Sequence, residues 1–412
     1  MRAQDLLRRA ESDAKAGRLT EAISVYQQAL RVSPRDAAAE VGLAQAYRGV
    51  HNYEEARHIL ERAARRHPKD ARPLAVLGDL DLEMQTYDAA IRDLTAALAL
   101  DPSAIDTRDR LALAYKSKGD ATSALVQLAK VVTQQPGDAL AHYLRAQIYS
   151  DRNEDERALG EAEKAVELQP QNPRARIVLG KVLLRAAEKA SAAEAAERCT
   201  RAADVLQPAV EAQPDDSEAL FLLSRACRCA GRTDQAEKAL AQFERASQND
   251  RATQENEKQA MHLVQEANNR AQANDLHGAL DLLQQALGKD PQSGAAYSQL
   301  AKLYYSAGDI EKASEAIAQA LARGPFQPDF LYVRGKILEK QGKPAEALAA
   351  FEQATLVNPK ESDAYFEMGV IYQQLGDRAH ALAAYKKAVE LAPGDPDYRK
   401  ALADLSGGAP SR

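Results

Sequence analysis

Few side chains in this chain are spaced for chemistry. Cys227-Arg-Cys229 lacks the two-residue spacer and the second pair that a zinc site requires. The seven histidines are scattered, and a turn separates the nearest two, His51 and His58. The glycines stand singly, never as a phosphate-cradling run. No catalytic constellation, metal site or cofactor site is expected. What remains is charge with aromatic neighbours: Arg174, Lys181, Arg185, Arg225 and Arg228 beside Phe221, then Lys302, Tyr305, Tyr332, Lys336 and Lys340. Within each helical segment these residues lie three, four or seven apart, so their heads share one side. Such a set suits binding of another protein's acidic segments, with the aromatics supplying burial.

The elements that must position these residues repeat. Prolines fall at 34, 68, 102, 136 and 170, and again at 291, 325, 359 and 393, each 34 residues after the last. With proline as position 32, position 20 is alanine in every repeat, from Ala22 to Ala381, and position 8 is always Ala, Gly or Ser. Small residues there let two helices approach closely, while large residues at positions 4, 7, 11 and 24 fill the surrounding space. Glycine at position 15 (Gly17, Gly119, Gly231, Gly308, Gly342, Gly376) supplies the positive φ that ends a first helix. Proline at position 32 stops the second.

This pattern resembles the tetratricopeptide repeat, eleven copies of it over about residues 3–393. The resemblance implies an all-α, right-handed α-solenoid of helix-turn-helix repeats. It also implies that positions 2, 5, 9, 12 and 13 line a concave wall that binds extended peptides or short helices. The eleven cations and aromatics named above are the expected partner-binding residues on that wall. Asp79, Glu83, Asp106 and Asp109 make the wall acidic in repeats three and four.

Two departures from the period set the expected organisation. Repeat six is extended (171–214), and Ser191-Ala-Ala-Glu194 reads as a capping box that starts its second helix near 192. An excess at 251–259 reads as a polar junction or a helix extension within 249–259. Repeats one to seven then occupy 1–248 and repeats eight to eleven 260–393. A capping helix is expected at 394–405 and a loose tail at 406–412.

Net charge is -6 over 412 residues, against general nucleic-acid binding. No apolar run is long enough to span a bilayer. Three cysteines cannot pair completely, so a disulfide framework is not expected and Cys227 is read as core. The expected setting is cytoplasmic, or periplasmic or membrane-associated if a leader has been removed. The expected function is a non-catalytic interaction scaffold. The alternatives are an accessory subunit of a bacterial envelope machine for secretion, pilus assembly or polysaccharide export and, least favoured, an enzyme.

Overall fold

The computed structural model describes residues 3–407. Those residues form helices and turns and no strand. Repeats one and two are α1 (Ala3–Lys15), α2 (Leu19–Val32), α3 (Ala37–Gly49) and α4 (Tyr53–Arg66). Repeats three and four are α5 (Arg72–Glu83), α6 (Tyr87–Leu100), α7 (Ile105–Lys118) and α8 (Ala121–Gln134). Repeats five and six are α9 (Ala139–Asp151), α10 (Asp155–Leu168), α11 (Pro173–Glu188) and α12 (Ala192–Ala212). Repeat seven opens with α13 (Ser217–Cys229). Its second helix, residues 251–259 and the first helix of repeat eight are then one helix of 40 residues, α14 (Thr233–Gln272). The chain continues with α15 (Leu276–Lys289), α16 (Gly294–Ser306), α17 (Ile310–Arg323), α18 (Pro328–Lys340), α19 (Pro344–Val357), α20 (Ser362–Gln374) and α21 (Arg378–Leu391). The last helix is α22 (Pro396–Gly407). Most of the loose tail expected at 406–412 lies outside the described residues.

The chain divides into a central body, Arg57–Ala252, and a terminal body, Met1–Ala56 with Thr253–Arg412. Within each body, the two helices of every repeat that lies wholly inside it pack together and successive first helices meet, α5 on α7, α7 on α9, α9 on α11 and α16 on α18. This is the all-α repeat architecture read from the period. Every position-20 alanine is buried. Where position 8 is glycine, the large side chain at position 24 lies directly over it. A Cβ on Gly78 would come within 2.3 Å of Leu94, and one on Gly335 within 2.5 Å of Phe351. The close approach is therefore made by position 8 against position 24 as well as against the alanine.

All six position-15 glycines have positive φ, and His51, Gln85, Asn153 and Asn274 adopt it at the same place in four repeats without glycine. The left-handed residue is thus required by the turn, and non-glycine residues are held there at a cost of about 1 kcal/mol each. Side chains just before many helices accept amide hydrogens, as Asp36, Asp138, Asn172 and Asp216 do. Ser191 and Glu194 form the expected capping box, and α12 starts at Ala192.

Three findings depart from the sequence reading. First, Cys199 and Cys229 form a disulfide between α12 and α13, with Cα atoms 5.6 Å apart; Cys227 is the free, buried thiol. Three cysteines could not all pair, but two are brought together by residues that share no local pattern. Second, position 4 carries no apolar filler in repeats four to six. Arg108, His142 and Arg176 sit there and reach the carbonyl of the proline six residues earlier, Pro102, Pro136 and Pro170. Third, where the period alone implies contact only between successive repeats, repeats far apart along the chain also touch. In the terminal body Asn52 Nδ2 donates to Leu356 O at 2.7 Å, and Lys360 pairs with Glu54 at 3.0 Å. At the other end, Tyr398 of α22 is buried, stacks on Phe366 with ring centres 4.8 Å apart and donates to Asp363. α22 therefore caps the last repeat.

Candidate functional site

In the central body the first helices α7, α9, α11 and the start of α13 enclose a cleft of about 390 Å³. Tyr143, Ile177 and Val178 give it an apolar floor, and Gln147 Nε2 donates to Tyr143 Oη at 2.7 Å. Lys116, Arg174 and Lys181 line it on the cationic side, and Asp151, Asp216 and Glu218 on the anionic side. Arg174 makes no ion pair among the described residues, and Lys181 Nζ lies 3.9 Å from Glu218 Oε1. The cleft can therefore hold a chain segment through apolar contact and charges of both signs.

Arg185, on the same helix, is used differently. It is half-buried, donates to Ser150 O and to Asp155 Oδ1, and so ties α11 to the start of α10. Burial pushes the Asp155 carboxyl up, but hydrogen bonds from Lys189 and Arg185 outweigh it and hold the group below the ordinary carboxylate value.

On α13, Phe221 is 42% exposed, with the Phe243 ring 5.4 Å away and the Arg225 guanidinium 5.9 Å above it. Arg225 pairs with Glu188 at 2.8 Å. Arg228 makes no ion pair among the described residues and, with Arg225, lines a separate hollow beside Cys229.

In the terminal body the expected residues are mostly engaged. Lys302 pairs with Asp329 at 3.3 Å. Tyr332 packs on Phe351, and Lys336 meets Glu367 at 2.7 Å and Glu339 at 3.1 Å. Burial pulls the Lys336 ammonium down, but Glu367 and Glu339 more than offset this and raise it. Burial likewise pushes the Tyr332 phenol up, and the Glu367 charge adds to it. Tyr305 is half-buried against the hydrophobic cluster of α15 to α17. Lys340 is exposed.

Asp109 was expected to be a solvated groove charge. It is 6% exposed, and its Oδ1 has no hydrogen-bond partner. Burial first, then the charges of Asp138 and Asp106, push its carboxyl up to about 7, with Arg110 acting weakly against them. The neighbouring Asp79 is occupied by Arg110 at 3.0 Å. Asp138, one repeat further along the chain, was not singled out by sequence, because its visible role was only to cap α9.

Among the described residues no group of three or more His, Cys, Asp and Glu is arranged to hold a metal, and no helix is long and apolar enough to cross a membrane. Paired helices, an inter-helix cleft and exposed mixed charge define a helical-repeat scaffold for protein–protein interaction. Tetratricopeptide repeat models match residues 13–80, 81–148 and 270–337, and residues 187–251 and 332–396. The chain belongs to the tetratricopeptide repeat family, whose members are generally non-catalytic.

No curated protein matches it. Among solved structures it is similar to YrrB, described as a TPR protein with an unusual peptide-binding site. That likeness has 26% identity, covers 41% of this chain and 88% of that one, and has a TM-score of 0.36. A MamA protein is 20% identical, with 43% and 92% covered and a TM-score of 0.37. The APC/C hetero-tetramer Cut9–Hcn1 is 12% identical, with 98% and 96% covered and a TM-score of 0.34.

Proposed function

We propose that the central body holds a segment of a partner protein in the cleft across α7, α9, α11 and α13, as a non-catalytic scaffold. One observation carries this reading: the cleft combines an apolar floor with Arg174 and Lys181, two exposed cations not locked into close internal pairs. Exposed ion pairs contribute roughly 0.2–1 kcal/mol each. Micromolar affinity needs about 8 kcal/mol, so most of the binding free energy comes from burying partner side chains on the half-buried Tyr143 and Val178. The cations then select segments bearing Asp or Glu. Phe221, Arg225 and Arg228 extend the same preference along α13; in the terminal body, where Lys302, Tyr332 and Lys336 are engaged, Tyr305 and Lys340 are the residues left for a counterpart role. The test is capture of partners from the source cell by the intact chain and by Arg174→Glu with Lys181→Glu. Capture is expected to fall at least tenfold with an unchanged melting temperature; undiminished capture by the folded double variant would remove the cleft from consideration.

The second reading, an accessory subunit of an envelope machine, is favoured by the Cys199–Cys229 disulfide, because such bonds persist in oxidising compartments. Localisation of the native protein by fractionation separates the two.

A further inference from the structure

We propose that the hollow beside Cys229 is a docking site for an anionic low-molecular-weight thiol, which opens the Cys199–Cys229 disulfide by exchange. The hollow measures about 330 Å³ and is bounded by Leu184, Ala187, Glu188, Arg225 and Arg228, with both disulfide cysteines in its wall. Cys199 is fully buried and Cys229 is exposed, so an incoming thiolate meets the bond from the Cys229 side. Arg225 and Arg228 are three residues apart on one helix, and their like charges repel. Glu188 offsets only Arg225. An anion in the hollow would satisfy Arg228.

The chemistry balances with two thiols. A first thiolate attacks Cys229 Sγ, the S–S bond breaks, and the Cys199 sulfur leaves as a thiolate that takes a proton from water. A mixed disulfide is left on Cys229. A second thiolate attacks the small molecule's sulfur, releasing the small disulfide and a Cys229 thiolate beside Arg228, a setting that favours the thiolate form. Two electrons pass from the two thiols to the protein bond. Cys227 stays outside this exchange: its thiol is buried, 3.8 Å from Gln235 Oε1, and burial pushes its ionisation up.

Opening the bond has a local consequence. The segment Ala192–Arg198, which gives repeat six its extra length, is largely exposed. It is held by the Ser191–Glu194 capping box, the hydrogen bond from Arg198 to Ala186 O, a 3.5 Å pair with Glu156, a hydrogen bond from Thr200 to Ala196 O, contact of Ala195 with the core, and the disulfide that follows at Cys199. Reduction releases the covalent tie and lets this segment fray while the rest of α12 stays packed. The device therefore couples thiol status to the shape of the wall next to Arg225 and Arg228.

The test uses the full chain. After air oxidation without reductant, thiol titration in guanidinium is expected to find one free thiol, Cys227; three would overturn the proposal. Stopped-flow reduction then compares mercaptoethanesulfonate with cysteamine at equal thiolate concentration. The anionic thiol is expected to react about tenfold faster. Arg225→Gln with Arg228→Gln should bring the ratio to about one, and the exposed single change Arg228→Gln should fall between. Equal rates on the native chain, or a ratio that survives both variants, would refute anionic docking.

Discussion

Two charges on the same type of helix face, one half-buried and one buried, meet opposite fates. Lys336 on α18 is received by Glu367 of the next repeat and by Glu339 of its own helix. Asp109 on α7 faces Asp106 and Asp138, with only Arg110 weakly in its favour. The first charge is stabilised as an ion; the second keeps a proton up to about pH 7. The comparison teaches that repeat position sets where a side chain points, while the residue opposite decides whether its charge belongs to the fold or strains it.

The largest effect is expected at the unsatisfied end. In the unfolded chain Asp109 ionises near the ordinary carboxylate value; in the fold it ionises near 7. The folded form therefore binds the extra proton, so this contribution to stability is fully present below about pH 4, falls as pH rises to about 7, and is then lost. The gap corresponds to roughly 4 kcal/mol at most. Asp109→Asn should stabilise the chain at pH 8.5, by an amount on the order of 1–4 kcal/mol, and do little at pH 4, read from urea midpoints. Equal midpoint shifts at both pH values would break the comparison.

A smaller loss is expected at the satisfied end. Glu367→Gln removes the negative charge that faces Lys336 at 2.7 Å, while its amide oxygen can still accept from the Tyr332 hydroxyl, 3.5 Å away in the native chain. Destabilisation of roughly 1–2 kcal/mol should follow, since the Lys336 charge left behind is half-buried. A double cycle with Lys336→Met should show coupling; strict additivity would mean that the pair is ornamental.

The smallest effect sharpens the cause. Asp138→Asn keeps the cap, because an asparagine oxygen accepts from Ala141 N as well, but removes one of the two repelling charges. Carboxyl carbon NMR should show Asp109 titrating below 7 with stability at pH 4 unchanged. An unmoved titration would assign the shift to burial and Asp106, with no part for Asp138.

Much of the fold was legible because its causes are local. The position-15 turn, the small residue at position 8, the position-20 alanine and the Ser191 capping box are each fixed within one helix pair, and the 34-residue period repeats them. The candidate site was less legible. Arg174, Lys181 and Arg228 are exposed in a cleft or hollow, as their spacing suggested, whereas Arg185, Lys302 and Lys336 on the same stripe are engaged by Asp155, Asp329 and Glu367. Nothing in the period distinguishes these two groups.

Sequence alone determined the helix pairs of the regular repeats and the turns between them, since backbone propensity, turn geometry and side-chain volume act within a few residues. It leaves open whether 251–259 joins two helices into one, as it does. Only tertiary structure decided that Cys199 meets Cys229, that Asn52 donates to Leu356, and that Asp109 is buried among acids. Those outcomes depend on which side chain faces which across a gap of 29 to some 300 residues, and hydrophobic periodicity carries no record of that pairing.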